Sequence, residues 1–234
     1  MSNCAIILAG GEGKRMKSNL PKPMSEVLGK PMLRWVIDSV KSAGVDDICV
    51  VKGYKKECID EFVSSLPFEV ETVYQAERLG TGHAVMGNSL FFGVMMAKAF
   101  LEKHSGNVVI LNGDAPFMDA KTISDALALH TEKGSVATVI SAKVSDPTGY
   151  GRIVRDENNN FLKIVEQKDC NEEEKKINEI NSGGFWFNCE KLLSVLGEIK
   201  SDNNAKEYYL PDALKLLLDK NLFQHLFQAT RILF

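Results

Sequence analysis

Six residues near the amino terminus are of the types that handle a polyphosphate: Gly10, Gly11 and Gly13, then Lys14 and Arg15, and, seven residues further on, Lys22 within Leu20-Pro-Lys-Pro23. They follow a short apolar run, Cys4-Ala-Ile-Ile-Leu-Ala9. A buried strand that breaks into glycines and then cations delivers bare backbone N–H groups and fixed positive charge to phosphate. Spacing narrows the class of site. A dinucleotide fingerprint begun at Gly11 requires glycine or alanine at position 16, where Met16 stands, and an acid closing the second strand, where Val50-Val-Lys-Gly53 stands. A P-loop requires four residues between its glycines and then Lys-Ser/Thr, a pattern missing here. An ordinary turn with solvated cations uses the same residue types. Three glycines and three cations converging on one short segment favour a nucleotide site.

Two later segments carry matching chemistry. Gln75-Ala-Glu-Arg-Leu-Gly-Thr-Gly-His-Ala84 sets two glycines around a threonine ahead of a helical pattern. The glycines permit close backbone approach, and Gln75 and Thr81 offer the hydrogen-bonding edges that a nucleobase needs. Thr81 could equally cap the helix that follows. In Leu111-Asn-Gly-Asp-Ala-Pro116 an acid stands just past an apolar run. Asp114 is either a helix cap or, beside a triphosphate, a ligand for Mg²⁺, a hard cation usually held by one or two carboxylates and phosphate oxygens.

The elements that must position these residues alternate along the chain. Apolar patterning predicts strands near 4–8, 47–51, 69–74, 107–111 and 135–142, and helices near 32–43, 56–65, 83–103 and 120–133. That alternation predicts an α/β fold, a Rossmann-like, doubly wound and mostly parallel sheet. Ligands of such sheets lie beyond the carboxyl ends of the strands, so the loops after 4–8, 69–74 and 107–111 should face one another. The second half is less regular. Gly149-Tyr-Gly-Arg-Ile-Val154 and Phe161-Leu-Lys-Ile-Val165 flank Asp156-Glu-Asn-Asn-Asn160, an expected hairpin and a smaller β-rich substrate lobe. Cys170-Asn-Glu-Glu-Glu-Lys-Lys176 reads as a solvated loop or short helix. We expect one domain over 1–234, with a nucleotide-binding half over about 1–115 and a sugar-binding half over about 116–234.

Composition excludes several classes. The chain of 234 residues is 44% hydrophobic, enough for a sizeable core. A formal charge of −3 with interspersed acids and bases argues against a nucleic-acid surface. Five scattered cysteines suit reduced thiols in the cytosol, with Cys4 and Cys49 as core packing. His83, His104, His130 and His225 show no metal-ligand spacing, so zinc is not expected. No leader and no apolar stretch of the ~18 to 20 residues needed to span a bilayer is visible, which predicts a soluble, cytoplasmic protein without a membrane partner.

The segments LAGGEGKRM, LPKPM, QAERLGTGHAV, NGDAPF, DPTGYGRIV, IVEQKD, EINSG and EYYLPD occur in that order. Together they resemble the nucleotidyltransferase domain of the bacterial bifunctional N-acetylglucosamine-1-phosphate uridylyltransferase and glucosamine-1-phosphate acetyltransferase. The resemblance implies a sheet of the sugar-nucleotidyltransferase, GT-A-like type. It also implies transfer of UMP from UTP to N-acetylglucosamine 1-phosphate with Mg²⁺, giving UDP-N-acetylglucosamine for peptidoglycan synthesis. By the same resemblance Leu8, Ala9, Gly10, Gly11, Arg15 and Lys22 would bind nucleotide, and Gln75, Gly80 and Thr81 would read uracil. Asp114 would hold the metal, while Gly151, Glu166 and Asn181 would bind the sugar; Arg15, Lys22 and Asp114 are the expected catalytic set. For Glu166 an ion-paired strand-end acid, and for Asn181 a turn residue before Gly183-Gly184, are the plain structural alternatives.

The chain departs from that pattern at Gly10, where alanine is usual, at Lys14, where threonine is common, and at Pro211 in EYYLPD, where threonine is common. The asparagine that supplies a second metal ligand in the family has no counterpart here. The hexapeptide repeats of the acetyltransferase β-helix, which trimerises the family, are also missing, so oligomerisation by that route is not expected. Two other functions share these residues: a nucleotidyltransferase for another sugar 1-phosphate or nucleotide, and a non-catalytic nucleotide-sugar-binding relative.

Overall fold

The computed structural model describes residues 2–12, 19–76, 81, 84, 97–220 and 227–228. In chain order, the first half holds β1 (Cys4–Ala9), β2 (Glu26–Val27), β3 (Lys30–Pro31), α1 (Met32–Ser42), β4 (Asp47–Lys52), α2 (Lys56–Ser64), β5 (Glu71–Tyr74), α3 (Ala97–Leu101) and β6 (Asn107–Asn112). The second half holds α4 (Ala120–Glu132), β7 (Ala137–Lys143), β8 (Arg152–Arg155), β9 (Phe161–Val165), β10 (Glu179–Asn188), α5 (Cys189–Leu196), α6 (Asp212–Asp219) and β11 (Phe227–Gln228). The five expected strands coincide with β1, β4, β5, β6 and β7, and three of the expected helices with α1, α2 and α4. Of the helix expected at 83–103, most lies outside the described residues.

The main sheet runs in the order β11-β7-β10-β6-β1-β4-β5. β1, β4, β5 and β6 pair in parallel, while β10 is antiparallel to both β6 and β7. The sheet is therefore mixed though mostly parallel. It is continuous across residue 115, because β7 and β10 from the second half extend the edge that β6 offers. β8 and β9 form the expected hairpin and branch from β10 as the smaller lobe.

Side chains alternate across the pleat, so each central strand feeds two cores. On one face Ala5, Ile7, Val50, Val109, Leu111 and Trp186 pack under α1 and α4. On the other Ile6, Val51, Ile110, Phe185 and Phe187 pack under α3, α5 and α6. α1 meets its core with Met32, Leu33, Val36, Ile37 and Val40, one helical stripe. Asp119 caps α4 by accepting from Thr122 N at 2.7 Å. The indole N–H of Trp186 donates to Ile123 O at 3.0 Å, fastening β10 to α4. Asn188 caps α5 through Lys191 N, and Pro211 stands at the start of α6, a position where a missing N–H costs nothing. Cys4 and Cys49 are fully buried.

Candidate functional site

The carboxyl ends of β1, β5 and β6 meet, as the loop argument predicts. Backbone bonds lock them together: Gly113 N donates to Leu8 O (2.9 Å), Gln75 N to Lys52 O (2.8 Å) and Tyr54 N to Gly10 O (3.2 Å). At Gly53 a Cβ would stand 2.8 Å from both the oxygen and the Cα of Gly10, so only glycine lets the end of β4 close on the glycine loop. Gly53 was not among the expected site residues. Its signal was a glycine ending a buried strand, the usual mark of close backbone approach.

A cavity of about 800 Å³ opens over these ends and is lined by Gly10, Gly11, Gln75 and Ala76. A second, of about 600 Å³, is lined by Gly151, Glu166 and Asn181, with exposed Phe117 and Tyr150 at its rim. Leu8, Lys22, Thr81, Asn112, Asp114 and Glu207 line both, which makes the two cavities halves of one cleft. Ala9 lines neither: its side chain is buried in the α1 and α4 core, on the face opposite Leu8. Arg15 and Gly80 lie outside the described residues.

Lys22 opens a single 3₁₀ turn between Pro21 and Pro23, and its ammonium is ion-paired with the Asp114 carboxylate where the cavities join. Asp114 is not the cap of α4, since Asp119 has that role. Thr81 Oγ1 accepts from Leu210 N at 3.0 Å, which ties the segment after β5 to the segment before α6 and leaves its hydroxyl proton available to donate. Glu207 and Asn112, both common to the two halves, also went unread in the sequence. Among the described residues no three His, Cys, Asp or Glu side chains group to hold a metal unaided. A lone carboxylate such as that of Asp114 could hold Mg²⁺ only together with phosphate oxygens and water, the mixed shell that ion commonly takes.

In the second half of the cleft Asn181 N donates to Gly151 O (2.8 Å), and Asn181 Oδ1 accepts from Gly183 N (3.0 Å). These bonds sit at a register shift of β10 between Asn181 and Gly184. Such a bulge re-aims side chains, here toward the cavity. Gly183 has φ +81°, and a Cβ there would overlap the Asn112 side chain. Glu166 forms no ion pair among the described residues. Burial pushes its carboxyl above the usual range, helped by Asp169, Asp212 and Glu207 and opposed by Arg152. The Tyr209 phenol is raised by burial and the same acids, and Asp212 is raised by burial.

Comparison with known proteins fits this geometry. The family model described as nucleotidyl transferase matches residues 4–230. The bifunctional protein GlmU of Clostridium botulinum (strain Loch Maree) is 45% identical over 217 residues, covering 93% of this chain and 45% of that protein. GlmU of Clostridium beijerinckii is 46% identical over 217 residues, with 93% and 45% covered. The chain thus spans about half the length of the curated relatives it matches. A solved structure of a candidate glucose-1-phosphate thymidylyltransferase from Bacillus anthracis, in complex with sucrose, superposes with a TM-score of 0.74 at 21% identity, covering 98% of this chain and 87% of that one. That likeness concerns the fold. With a family model spanning nearly the whole chain and a strand-end cleft built from the glycine loop, Lys22 and Asp114, this chain belongs to the nucleotidyl transferase family.

Proposed function

We propose that this chain transfers UMP from UTP to N-acetylglucosamine 1-phosphate, forming UDP-N-acetylglucosamine and pyrophosphate as a cytoplasmic step toward cell-wall precursors. The observation that carries the proposal is the shared lining of the two cavities: Lys22 and Asp114 stand between a glycine-loop half and a Gly151-Glu166-Asn181 half. A phosphate oxygen of the sugar attacks the α-phosphorus, and the bond to the pyrophosphate breaks. The attacking phosphate is already anionic, so no base or covalent nucleophile is needed; alignment and charge neutralisation are. Lys22 and Arg15 neutralise the phosphates. Asp114 would hold Mg²⁺, whose charge offsets that gathering on the triphosphate. Gln75, Gly80 and Thr81 read uracil, and Gly151, Glu166 and Asn181 hold the sugar.

The test is pyrophosphate release from UTP at millimolar Mg²⁺, with and without N-acetylglucosamine 1-phosphate. We expect sugar-dependent release, reduced on the order of 100-fold or more in Asp114→Asn and in Lys22→Ala, since each removes charge stabilisation at the reacting phosphates. Release that prefers glucose 1-phosphate, or dTTP over UTP, would move the assignment to another substrate pair. UTP binding without release would leave a binding protein.

A further inference from the structure

Arg152 is 1% exposed, yet among the described residues it has no ion pair, and its Nε has no hydrogen-bond partner. Burying a guanidinium without a counter-ion is costly, and replacing such a charge with an apolar side chain often leaves stability unchanged or improved. What the arginine does hold is a wall of the sugar-side cavity. Its Nη1 donates to Tyr150 O, and its Nη2 donates to Gln167 Oε1 at 2.8 Å. The same Gln167 oxygen accepts from Gly149 N at 2.9 Å. One side-chain pair thus holds Gly149 N and Tyr150 O, the two ends of the dipeptide that leads into Gly151, and all three residues line the cavity. Glu166 lies against that wall: a Cβ at Gly151 would meet its Oε1 at 3.0 Å. β8 and β9 set this up, because pairing Arg152 with Val165 brings Gly151 and Glu166 alongside.

We propose that Arg152, which touches no substrate itself, is a positioning residue for the sugar 1-phosphate: with Gln167 it braces the 149–151 wall and sets a fixed positive charge behind Glu166. The proposal rests on the nucleotidyltransferase reading above. Glu166 is faced by Asp169 from the loop after β9, by Glu207 and Tyr209 from the segment before α6, and by Asp212 with its neighbour Lys215 from α6; Arg152 is the cation that opposes them. The Arg152 charge favours the carboxylate form of Glu166, the form that accepts from sugar hydroxyls.

Three variants separate brace from charge. Arg152→Met removes both, Arg152→Lys keeps the charge without the fork, and Gln167→Glu keeps both acceptor bonds while neutralising the charge. The expected result for Arg152→Met is a KM for the sugar phosphate raised about tenfold or more, a KM for UTP changed by less than about twofold, and a melting temperature held within a few degrees. The acid limb of kcat/KM for the sugar should move to higher pH in Arg152→Met and in Gln167→Glu, but not in Arg152→Lys. Hydrogen exchange of the 149–151 amides, read without any ligand, should accelerate in Arg152→Met and Arg152→Lys but not in Gln167→Glu. Equal losses for UTP and sugar, or a collapsed melting temperature with no KM split, would overturn the proposal. So would unchanged exchange at 149–151. A wild-type protein with no sugar-dependent turnover would overturn the reaction, while the exchange measurement would still decide the brace.

Discussion

Gly53 shows how tightly single positions constrain the nucleotide half of the cleft. Its absent side chain lets β4 close against Gly10, and Tyr54 N then bonds Gly10 O, so the glycine loop is backed by a second strand end. Gly53→Ala should push the two backbones apart, with a cost on the order of 1–3 kcal/mol for overpacking. UTP affinity by calorimetry should fall in step, while Gly11→Ala, which meets nothing within 4 Å, should change the protein's stability little. The same scale shows what the sequence made legible. Gly10, Gln75 and Asp114 stood out because glycine and polar residues at the ends of apolar runs point to a cleft in a parallel sheet, whereas Glu166 and Asn181 entered only through the family resemblance. Asn112, Glu207 and the Arg152-Gln167 pair did not stand out. Their parts depend on contacts between segments far apart in the chain, which spacing does not encode.

At the level of elements the five patterned strands and three of the helices were legible from periodicity, whereas β10 was not. Its residues Glu179–Asn188 mix a charged residue, three polar residues and two glycines with Phe185-Trp-Phe187, and its central place buries both faces. The bulge between Asn181 and Gly184 then breaks whatever alternation remained. That bulge depends on Gly183. Gly183→Ala would place a side chain in the left-handed region and against Asn112, and should destabilise the protein by roughly 1–3 kcal/mol while misplacing Asn181. Denaturant unfolding and the KM for the sugar phosphate check it together; a shift in stability with an unchanged KM would detach the bulge from the sugar half.

Across the whole molecule, stability should depend on a histidine remote from the cleft. His130 on α4 is buried, joined to Thr138 Oγ1 at 2.8 Å and Asn107 Oδ1 at 3.2 Å, so it links the helix to β6 and β7. Burial lowers its pKa from 6.5 to about 4. The unfolded chain takes up this proton below about pH 6.5 and the folded chain only near 4, so its contribution is complete above 6.5 and is lost as pH falls through that window, ~3 kcal/mol in all. Unfolding free energies of wild type and His130→Gln should converge as pH drops from 7 to 4; parallel curves would remove His130 from the acid response.

The place of β10 in the sheet order has a consequence for how the chain is made. β6 and β7 are both finished by residue 143, but the strand that joins them ends at Asn188. Until it docks, β6 keeps one open edge, and β7 lacks the neighbour that connects it to the rest of the sheet. Unpaired edges recruit strands from other chains, and pairings across long loops form late. A nascent chain on the ribosome, or one stalled short of Asn188, therefore presents its apolar strands ready to pair with another molecule. The docking of β10 is thus the step that closes this edge of the sheet.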